Sequence, residues 1–145
     1  MEHKNPMKLF TTNYQNSFIT VAGDCPVKKG EIPPVKNTGK TIANIQYEMI
    51  SKNPYKYTSD DVLFQCYLIK NEIKRNDPEL RKQFFSKGQP CFRASPLTKQ
   101  YGWGIHYNDA GKIAMYGCET DTYKTLSKDK TLKVLQAMRS KTNGH

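Results

Sequence analysis

The chain has 145 residues and a net charge of +10, from 23 Lys and Arg residues against 13 Asp and Glu residues. This length fits one ordinary domain, and a hydrophobic fraction of 37% is enough for a packed core. No apolar run approaches the roughly 18 residues that span a bilayer, and the amino terminus lacks the apolar centre of a signal peptide. These features exclude a membrane partner and predict a cytoplasmic protein, whose charge would attract polyanions or acidic partners.

The cysteines and histidines indicate neither a metal nor a cofactor. No two of the four cysteines are spaced as C-x-x-C, and three scattered histidines do not complete a zinc site. We therefore expect reduced thiols and no metal. The sequence also lacks the phosphate-loop, dinucleotide, zincin and nucleophile-elbow motifs, so we expect no cofactor.

The first half of the chain predicts one strand, one long loop and two helices. Residues 16–22 (NSFITVA) have the β-branched and aromatic character of a strand, and residues 23–40 form a loop with three Pro and three Gly. Residues 41–51 repeat apolar side chains at helical spacing and end before an Asn-Pro pair. The next helix opens at Thr58 or Ser59, which can cap it, and continues through VLFQCYLIKNEIK.

The second half predicts two helices and four strands. Asp77 and the proline after it are typical of a helix start, and Gly88 is placed where this helix ends. Three strands then follow within residues 88–117, where the sequence NDAG joins the last two into a hairpin. A short helix runs to about Ser127, and residues 132–138 form a last strand, with a helix as the alternative.

This order predicts an α+β fold of two layers, in which an antiparallel sheet of about four to five strands packs against three to four helices. Residues 14–141 would form this single domain, because no repeat or low-complexity tract marks a second one. Residues 1–13 are expected to be a flexible segment and residues 142–145 a flexible tail.

The predicted hairpin has two different faces if its loop contains only residues 108–111. Tyr107 then pairs with Lys112, and the two-residue period of a strand sorts the other side chains. An aromatic face consists of Tyr101, Trp103, Ile105, Tyr107, Ala114, Tyr116 and Cys118. The opposite face consists of Gly102, Gly104, His106, Ile113, Met115 and Gly117. A loop one residue longer or shorter would exchange the faces of one strand.

Glycines within a strand indicate that something comes close to the backbone. One interpretation is that a helix packs on the glycine face and that His106 is a partly buried, hydrogen-bonded side chain. The other is that a ligand lies there, with His106 at its rim as an acid, a base or a donor.

The sequence just before the hairpin suggests an anion site. Arg93 and Lys99 supply positive charge, Ser95 supplies a hydroxyl, and the proline after it fixes a turn that could hold a phosphate or carboxylate. Together with Trp103 and His106, these residues are the predicted ligand-binding site, although their composition also suits a plain connecting loop. We expect a binding or accessory domain for a small anionic ligand or an acidic partner rather than an enzyme.

Cys91 and His106 are the candidate catalytic residues if the protein is an enzyme. Arg93 and His106 could activate Cys91 as a nucleophile, while a small buried side chain is the plainer explanation of this cysteine. Asp60 and Asp61 could hold a metal, but helix capping explains them without one.

Nucleic-acid binding is a further alternative. A basic surface and the rings of Tyr101, Trp103, Tyr107 and Tyr116 could bind a strand and stack its bases. Burial of these rings beneath helices would remove that possibility.

Five strings, in order along the chain, resemble an uncharacterised bacterial domain-of-unknown-function family, number 6157. They are DCP (24–26), GEIPP (30–34), NPYKYTSDDVLF (53–64), FFSKGQPCFRASPLTKQYGWGIH (84–106) and AMRSK (137–141). The resemblance implies a small, soluble, single-domain bacterial protein. It implies no catalytic residues, because the family has no assigned activity.

Overall fold

The computed structural model describes residues 8–75 and 77–140. Its strands are β1 (Ser17–Thr20), β2 (Trp103–Tyr107), β3 (Ile113–Gly117) and β4 (Lys133–Gln136). Its helices are α1 (Ile42–Lys52), α2 (Ser59–Lys70), α3 (Pro78–Phe85), α4 (Pro96–Lys99) and α5 (Asp121–Ser127). A 3-10 turn, Phe92–Ala94, precedes α4.

The predicted helix starts are confirmed, whereas two predicted helix ends are wrong. Thr58 caps α2, and Asp77 Oδ1 accepts a hydrogen bond of 2.7 Å from the backbone of α3. Helix α2 stops at Lys70 because Glu72 adopts a φ of +53°, which a continuing helix cannot contain. Helix α3 ends at a cap on Ser86, so Gly88 is not the residue that ends it.

The sheet has four strands in the order β3-β2-β1-β4. Strand β2 pairs antiparallel with both β1 and β3, but β4 runs parallel to β1. The α+β class and the strand number are therefore confirmed, while a purely antiparallel sheet is wrong for the β1–β4 pair. Because β3 and β4 run in the same direction, the chain must return across the sheet between them, and α5 makes this return.

The first strand predicted within residues 88–117 is also wrong, since the chain coils there. Ser95 Oγ accepts from Leu97 N and caps α4, whose first residue is a proline. Thr98 Oγ1 donates to Phe92 O over 2.6 Å and closes the coil on itself. Side-chain hydroxyls thus satisfy the backbone groups that a strand would have paired.

The hairpin register differs by one residue from the prediction. Asn108 Oδ1 accepts from the backbone of Ala110 and Lys112, which draws Lys112 into a five-residue loop, and Tyr107 pairs with Ile113. The faces of β3 are therefore exchanged. What we call the inner face carries Trp103, Ile105, Tyr107, Ile113, Met115 and Gly117; the outer face carries Gly104, His106, Ala114 and Tyr116.

The main core lies between the inner face and helices α1, α2 and α4. Ile105, Tyr107 and Ile113 are at most 1% exposed, and they pack in one cluster with apolar residues of those helices. A smaller cluster joins α2 to α3 through Phe64, Leu68, Leu80 and Phe85. Helix α5 lies on the other side of the sheet, where Tyr123 packs edge-on against Phe18.

The segment before β1 is held to α2 by buried hydrogen bonds. Asp60 accepts from Thr11 Oγ1, Thr12 N and Thr12 Oγ1 at 2.6–2.7 Å, and Phe10 N donates to Phe85 O. Residues 10–12 are thus anchored, unlike the loose segment predicted for residues 1–13. Residues 1–7 of that predicted segment and the tail predicted at residues 142–145 lie outside the described residues.

Candidate functional site

Arg93 and Ser95 are used to join parts of the fold. Arg93 Nε donates to Gln136 O at the end of β4 over 2.8 Å, and Arg93 O accepts from Met138 N. Ser95 is buried and donates to Gln46 Oε1 over 2.6 Å. The Nε of Arg93 and the hydroxyl of Ser95 therefore already have protein partners.

The other predicted ligand residues lie apart from one another. Lys99 ends α4. Trp103 Nε1 donates to Glu31 O over 2.8 Å, and its ring contacts Tyr47. His106 projects from the outer face, on the opposite side of the sheet from Trp103. The structure does not bring these five residues into one pocket.

His106 belongs to a hydrogen-bonded cluster on the outer face. Its Nδ1 lies 2.8 Å from the Tyr55 hydroxyl, which in turn lies 2.8 Å from the Tyr116 hydroxyl. Burial lowers the pKa of His106, while the carboxylate of Asp129 opposes this shift. Tyr123 of α5 packs directly over Gly104, and His106 is partly buried and hydrogen-bonded. At Gly104 and His106 the structure thus agrees with the interpretation of a helix on the glycine face, whereas Gly117 lies on the inner face.

Cys91 and His106 are on different sides of the sheet. Cys91 Sγ lies 3.5 Å from the Tyr14 hydroxyl, and the Tyr14 ring packs edge-on against Tyr107 of the inner face with centroids 5.3 Å apart. His106 is the neighbour of Tyr107 in β2 and points the other way. His106 therefore does not act as a base for Cys91 in this arrangement.

The four rings predicted to stack bases do not share a surface. Tyr107 is fully buried, Trp103 lies on the same inner face, and Tyr116 lies on the outer face. The sheet therefore offers no common stacking platform.

A cleft lies where α1, α2, α3 and residues 89–96 meet. Its volume is about 360 Å³, which is within the usual size of small-molecule sites. Its walls are mainly apolar: Ile42, Leu63, Cys66, Tyr67, Phe84, Pro90, Cys91, Ala94 and Pro96. Its polar residues are Gln46, Lys70, Asn71, Gln89 and Ser95.

Gln46 presents a donor with no protein partner to this cleft. The residue is only 2% exposed, and its Oε1 is bound to Ser95. Its Nε2 makes no hydrogen bond with any residue that the structure describes. Among the described residues, however, the Tyr107 hydroxyl is the only side-chain N or O atom that is both fully enclosed and without a hydrogen-bond partner. Gln46 Nε2 is therefore not fully enclosed, and Gln46 is one of the residues that line the cleft.

Charge and reactivity in the cleft come from three side chains. Lys70 is the only charged residue of the lining, and its Nζ donates to Lys40 O over a long 3.3 Å. Cys66 and Cys91 are its two thiols. Burial raises the pKa of Cys66 to about 12, so this thiol stays protonated near neutral pH.

Two of the lining residues, Cys91 and Ser95, are candidate functional residues by sequence alone, but the cleft is not predicted. The remaining signal was a stripe on α2 with lining residues at Leu63, Cys66 and Lys70, spaced i, i+3 and i+7. Such a stripe ordinarily packs against the core. Here it stays partly open because α3 and residues 89–96 surround it without covering it.

A second depression of about 410 Å³ lies beside Phe10, between α2 and α3. Most of its polar side chains are already engaged: Asp60 accepts from Thr11 and Thr12, and Arg81 pairs with Asp61 at 2.9 Å, while Lys82 at its edge is exposed. It therefore presents less free chemistry than the cleft.

The described chain has neither a cluster of metal-ligating side chains nor a membrane-spanning helix. In residues 8–75 and 77–140, no three His, Cys, Asp or Glu side chains gather in a way that could hold a metal ion. No helix in the same ranges has the length and apolarity needed to cross a bilayer.

Comparison with known proteins identifies the family. A family of unknown function, DUF6157, matches residues 9–143, and the chain belongs to it. No curated protein and no solved structure matches the chain.

Proposed function

We propose that this member of the DUF6157 family binds a small molecule that has an apolar body and a carboxylate, in the cleft between α1, α2, α3 and residues 89–96. The observation that carries the proposal is the free Nε2 donor of Gln46 in a mainly apolar wall. This keeps the anionic ligand expected from the sequence and moves its site away from Arg93, Lys99, Trp103 and His106.

The apolar walls account for the body of the ligand. Rings and aliphatic chains from four segments of the chain surround the cleft, with Phe84 and Tyr67 among them. Burying apolar ligand surface there contributes roughly 25 cal/mol per Å² before the costs of association. A hydrocarbon or aryl group therefore fits these walls better than a sugar or a nucleotide base.

The polar groups account for the carboxylate. Gln46 Nε2 can donate but not accept, and Lys70 adds a positive charge, while no Asp or Glu lines the cleft. A buried donor that stays unpaired costs about 1–3 kcal/mol, so a ligand with an acceptor at this position is favoured over an isosteric one without it. The net charge of +10 also attracts anions from solution.

A thermal-shift comparison of two ligands tests the proposal. Phenylbutanoate and phenylbutanol share an apolar body and differ in whether they end in a carboxylate or a hydroxyl. At 100 times its dissociation constant, phenylbutanoate should stabilise the fold by about 2.7 kcal/mol, which raises Tm by roughly 5–10 °C for a chain of this size. Equal Tm shifts with both compounds at the same concentration, or no shift with a panel of aryl and alkyl carboxylates, would contradict the proposal.

An oligonucleotide control separates cleft binding from attraction to the basic surface. The net charge of +10 attracts any polyanion, and such binding weakens steeply with salt. Binding of phenylbutanoate in the cleft involves one charge and should be much less sensitive to salt. A strong, salt-resistant shift with the oligonucleotide alone would favour nucleic-acid binding instead.

A further inference from the structure

We propose that Cys91 is a covalent acceptor for α,β-unsaturated carbonyl compounds that enter the cleft. The inference rests on the proposed function, because it requires the cleft to bind the compound before the thiol adds to it. It also extends that function from reversible binding to the capture of electrophiles.

The position of Cys91 supports this role. Its side chain is partly exposed and borders the same cleft as Gln46, so a ligand there meets a thiol and a free donor together. The Tyr14 hydroxyl lies 3.5 Å from Cys91 Sγ. Burial and the hydrogen bond to Cys91 raise the pKa of Tyr14, so this phenol keeps its proton and can donate it in a hydrogen bond to the sulfur.

The other cysteines make the inference specific. Cys66 lines the cleft too, but it is buried, and the raised pKa of about 12 keeps it as the unreactive thiol. Cys25 and Cys118 are as partly exposed as Cys91, but neither borders the cleft. Among the four thiols, Cys91 is the one that is both partly exposed and on the cleft. Cys25 and Cys118 therefore show how fast a partly exposed thiol reacts away from the cleft.

The reaction is a conjugate addition and needs no other reagent. The Cys91 thiol loses its proton to solvent, and its sulfur forms a C–S bond to the β carbon of the unsaturated carbonyl. The electron pair of the C=C bond moves toward the carbonyl oxygen as an enolate, and a proton from solvent then ends on the α carbon. Gln46 Nε2 can donate to the oxygen on which negative charge develops, which lowers the barrier.

Benzoylacrylate and its saturated counterpart, benzoylpropanoate, form the probe pair. Each has a phenyl ring, a ketone and a carboxylate, but only benzoylacrylate has the activated double bond. With benzoylacrylate in slight excess, peptide mass spectrometry should show an adduct on Cys91 that forms about tenfold faster, or more, than adducts on Cys25 and Cys118. Benzoylpropanoate should slow labelling of Cys91 and leave that of the other two unchanged.

A variant and a small alkylating agent complete the test. Gln46→Met should slow the addition of benzoylacrylate to Cys91 by about tenfold, while iodoacetamide, which is too small to need the cleft, should label Cys91 in the variant as fast as in the wild type. That second result also shows that the variant keeps its local structure.

The outcomes separate the two proposals. Equal labelling of Cys91, Cys25 and Cys118, or labelling of Cys91 that benzoylpropanoate does not slow, would overturn the covalent inference. If benzoylpropanoate raises Tm but benzoylacrylate leaves Cys91 unmodified, the covalent inference fails and the binding function stands. If benzoylpropanoate neither binds nor protects and the three thiols react alike, both fail.

Discussion

Ser95 donates a buried hydrogen bond of 2.6 Å to Gln46, which joins the cap of α4 to the middle of α1. The same Ser95 oxygen accepts from Leu97 N, while its proton is donated to Gln46 Oε1. With Oε1 bound to Ser95, Nε2 is the end of the Gln46 amide that has no partner in the described chain, and Gln46 lines the cleft. One hydroxyl thereby stabilises a helix start and presents a donor to a ligand.

Replacing Ser95 should destabilise the fold through both of these contacts. Ser95→Ala removes the cap of α4 and leaves Gln46 Oε1 without its donor, and each loss costs about 1 kcal/mol or more. We expect urea unfolding to report a loss of about 2–3 kcal/mol. Ser86→Ala, at an exposed hydroxyl that bonds only to Gln83 O within its own helix, should change the free energy of unfolding by less than about 0.5 kcal/mol. Equal effects would refute the double role of Ser95.

The parts of the fold that the sequence predicts correctly are set by neighbouring residues. Thr58 and Asp77 each cap a free amide three positions further along the chain, so a short window of sequence contains the whole cause. The class of the fold follows from the order of such elements.

The errors occur where distant or competing contacts decide the structure. The hairpin register depends on Asn108, whose side chain competes for the backbone of Lys112 and lengthens the loop by one residue. Ser95 has the composition of an anion ligand, but its hydroxyl is occupied by Gln46, which lies 49 positions away. The cleft itself forms from four separate segments, and no local pattern specifies that they meet.

Replacing Gln46 should affect charged and neutral ligands differently. Gln46→Met keeps the length and apolar volume of the side chain but removes both the Nε2 donor and the Oε1 acceptor of Ser95. We expect the affinity for phenylbutanoate to fall by about tenfold or more, since a hydrogen bond to a charged group contributes roughly 1.5–3 kcal/mol, and the affinity for phenylbutanol to fall less, because a neutral hydroxyl accepts a weaker bond of roughly 0.5–1.5 kcal/mol. Titration calorimetry on both ligands measures this. An equal loss for both would mean that the substitution has only altered the shape of the cleft.

Lys70 should contribute a smaller and salt-dependent part of the binding. Its side chain is at the rim and exposed, so Lys70→Gln should weaken phenylbutanoate about two- to fivefold at low salt and less at high salt. Lys52→Gln is the matched control, because Lys52 occupies the last turn of α1 as Lys70 does that of α2 and does not border the cleft. If the two variants weaken binding equally, the effect belongs to net charge and not to the cleft.

His106 should make the fold less stable as the pH falls. Burial lowers its pKa in the folded state, so the unfolded chain binds the proton more readily, and this penalty grows as the pH drops through about 6.5 and below. Above that pH, both states hold a neutral imidazole and His106 has no such effect. Burial raises the pKa of Tyr55, its hydrogen-bond partner, so that phenol stays protonated in this range, and Asp129 opposes the shift of the His106 pKa only in part.

The measurement is the urea midpoint between about pH 7 and pH 5. His106→Gln keeps an acceptor for Tyr55 and cannot titrate, so the fall in midpoint should be smaller in the variant. A wild-type midpoint that rises toward pH 5, or a variant with an equally steep fall, would show that another group governs this range.

Gly104 and Gly88 provide a test of what covers the outer face. A Cβ on Gly104 would lie 2.6 Å from the Phe18 ring and 2.7 Å from the Tyr123 ring, so Gly104→Ala must push α5 away from the sheet and should cost about 1–3 kcal/mol. A Cβ on Gly88 meets no atom within 4 Å, so Gly88→Ala should be neutral or stabilise by up to about 1 kcal/mol. Urea unfolding of the two variants compares them directly. If Gly104→Ala is as stable as the wild type, the space over Gly104 is open, and a ligand beside His106 again becomes the better explanation of the glycine.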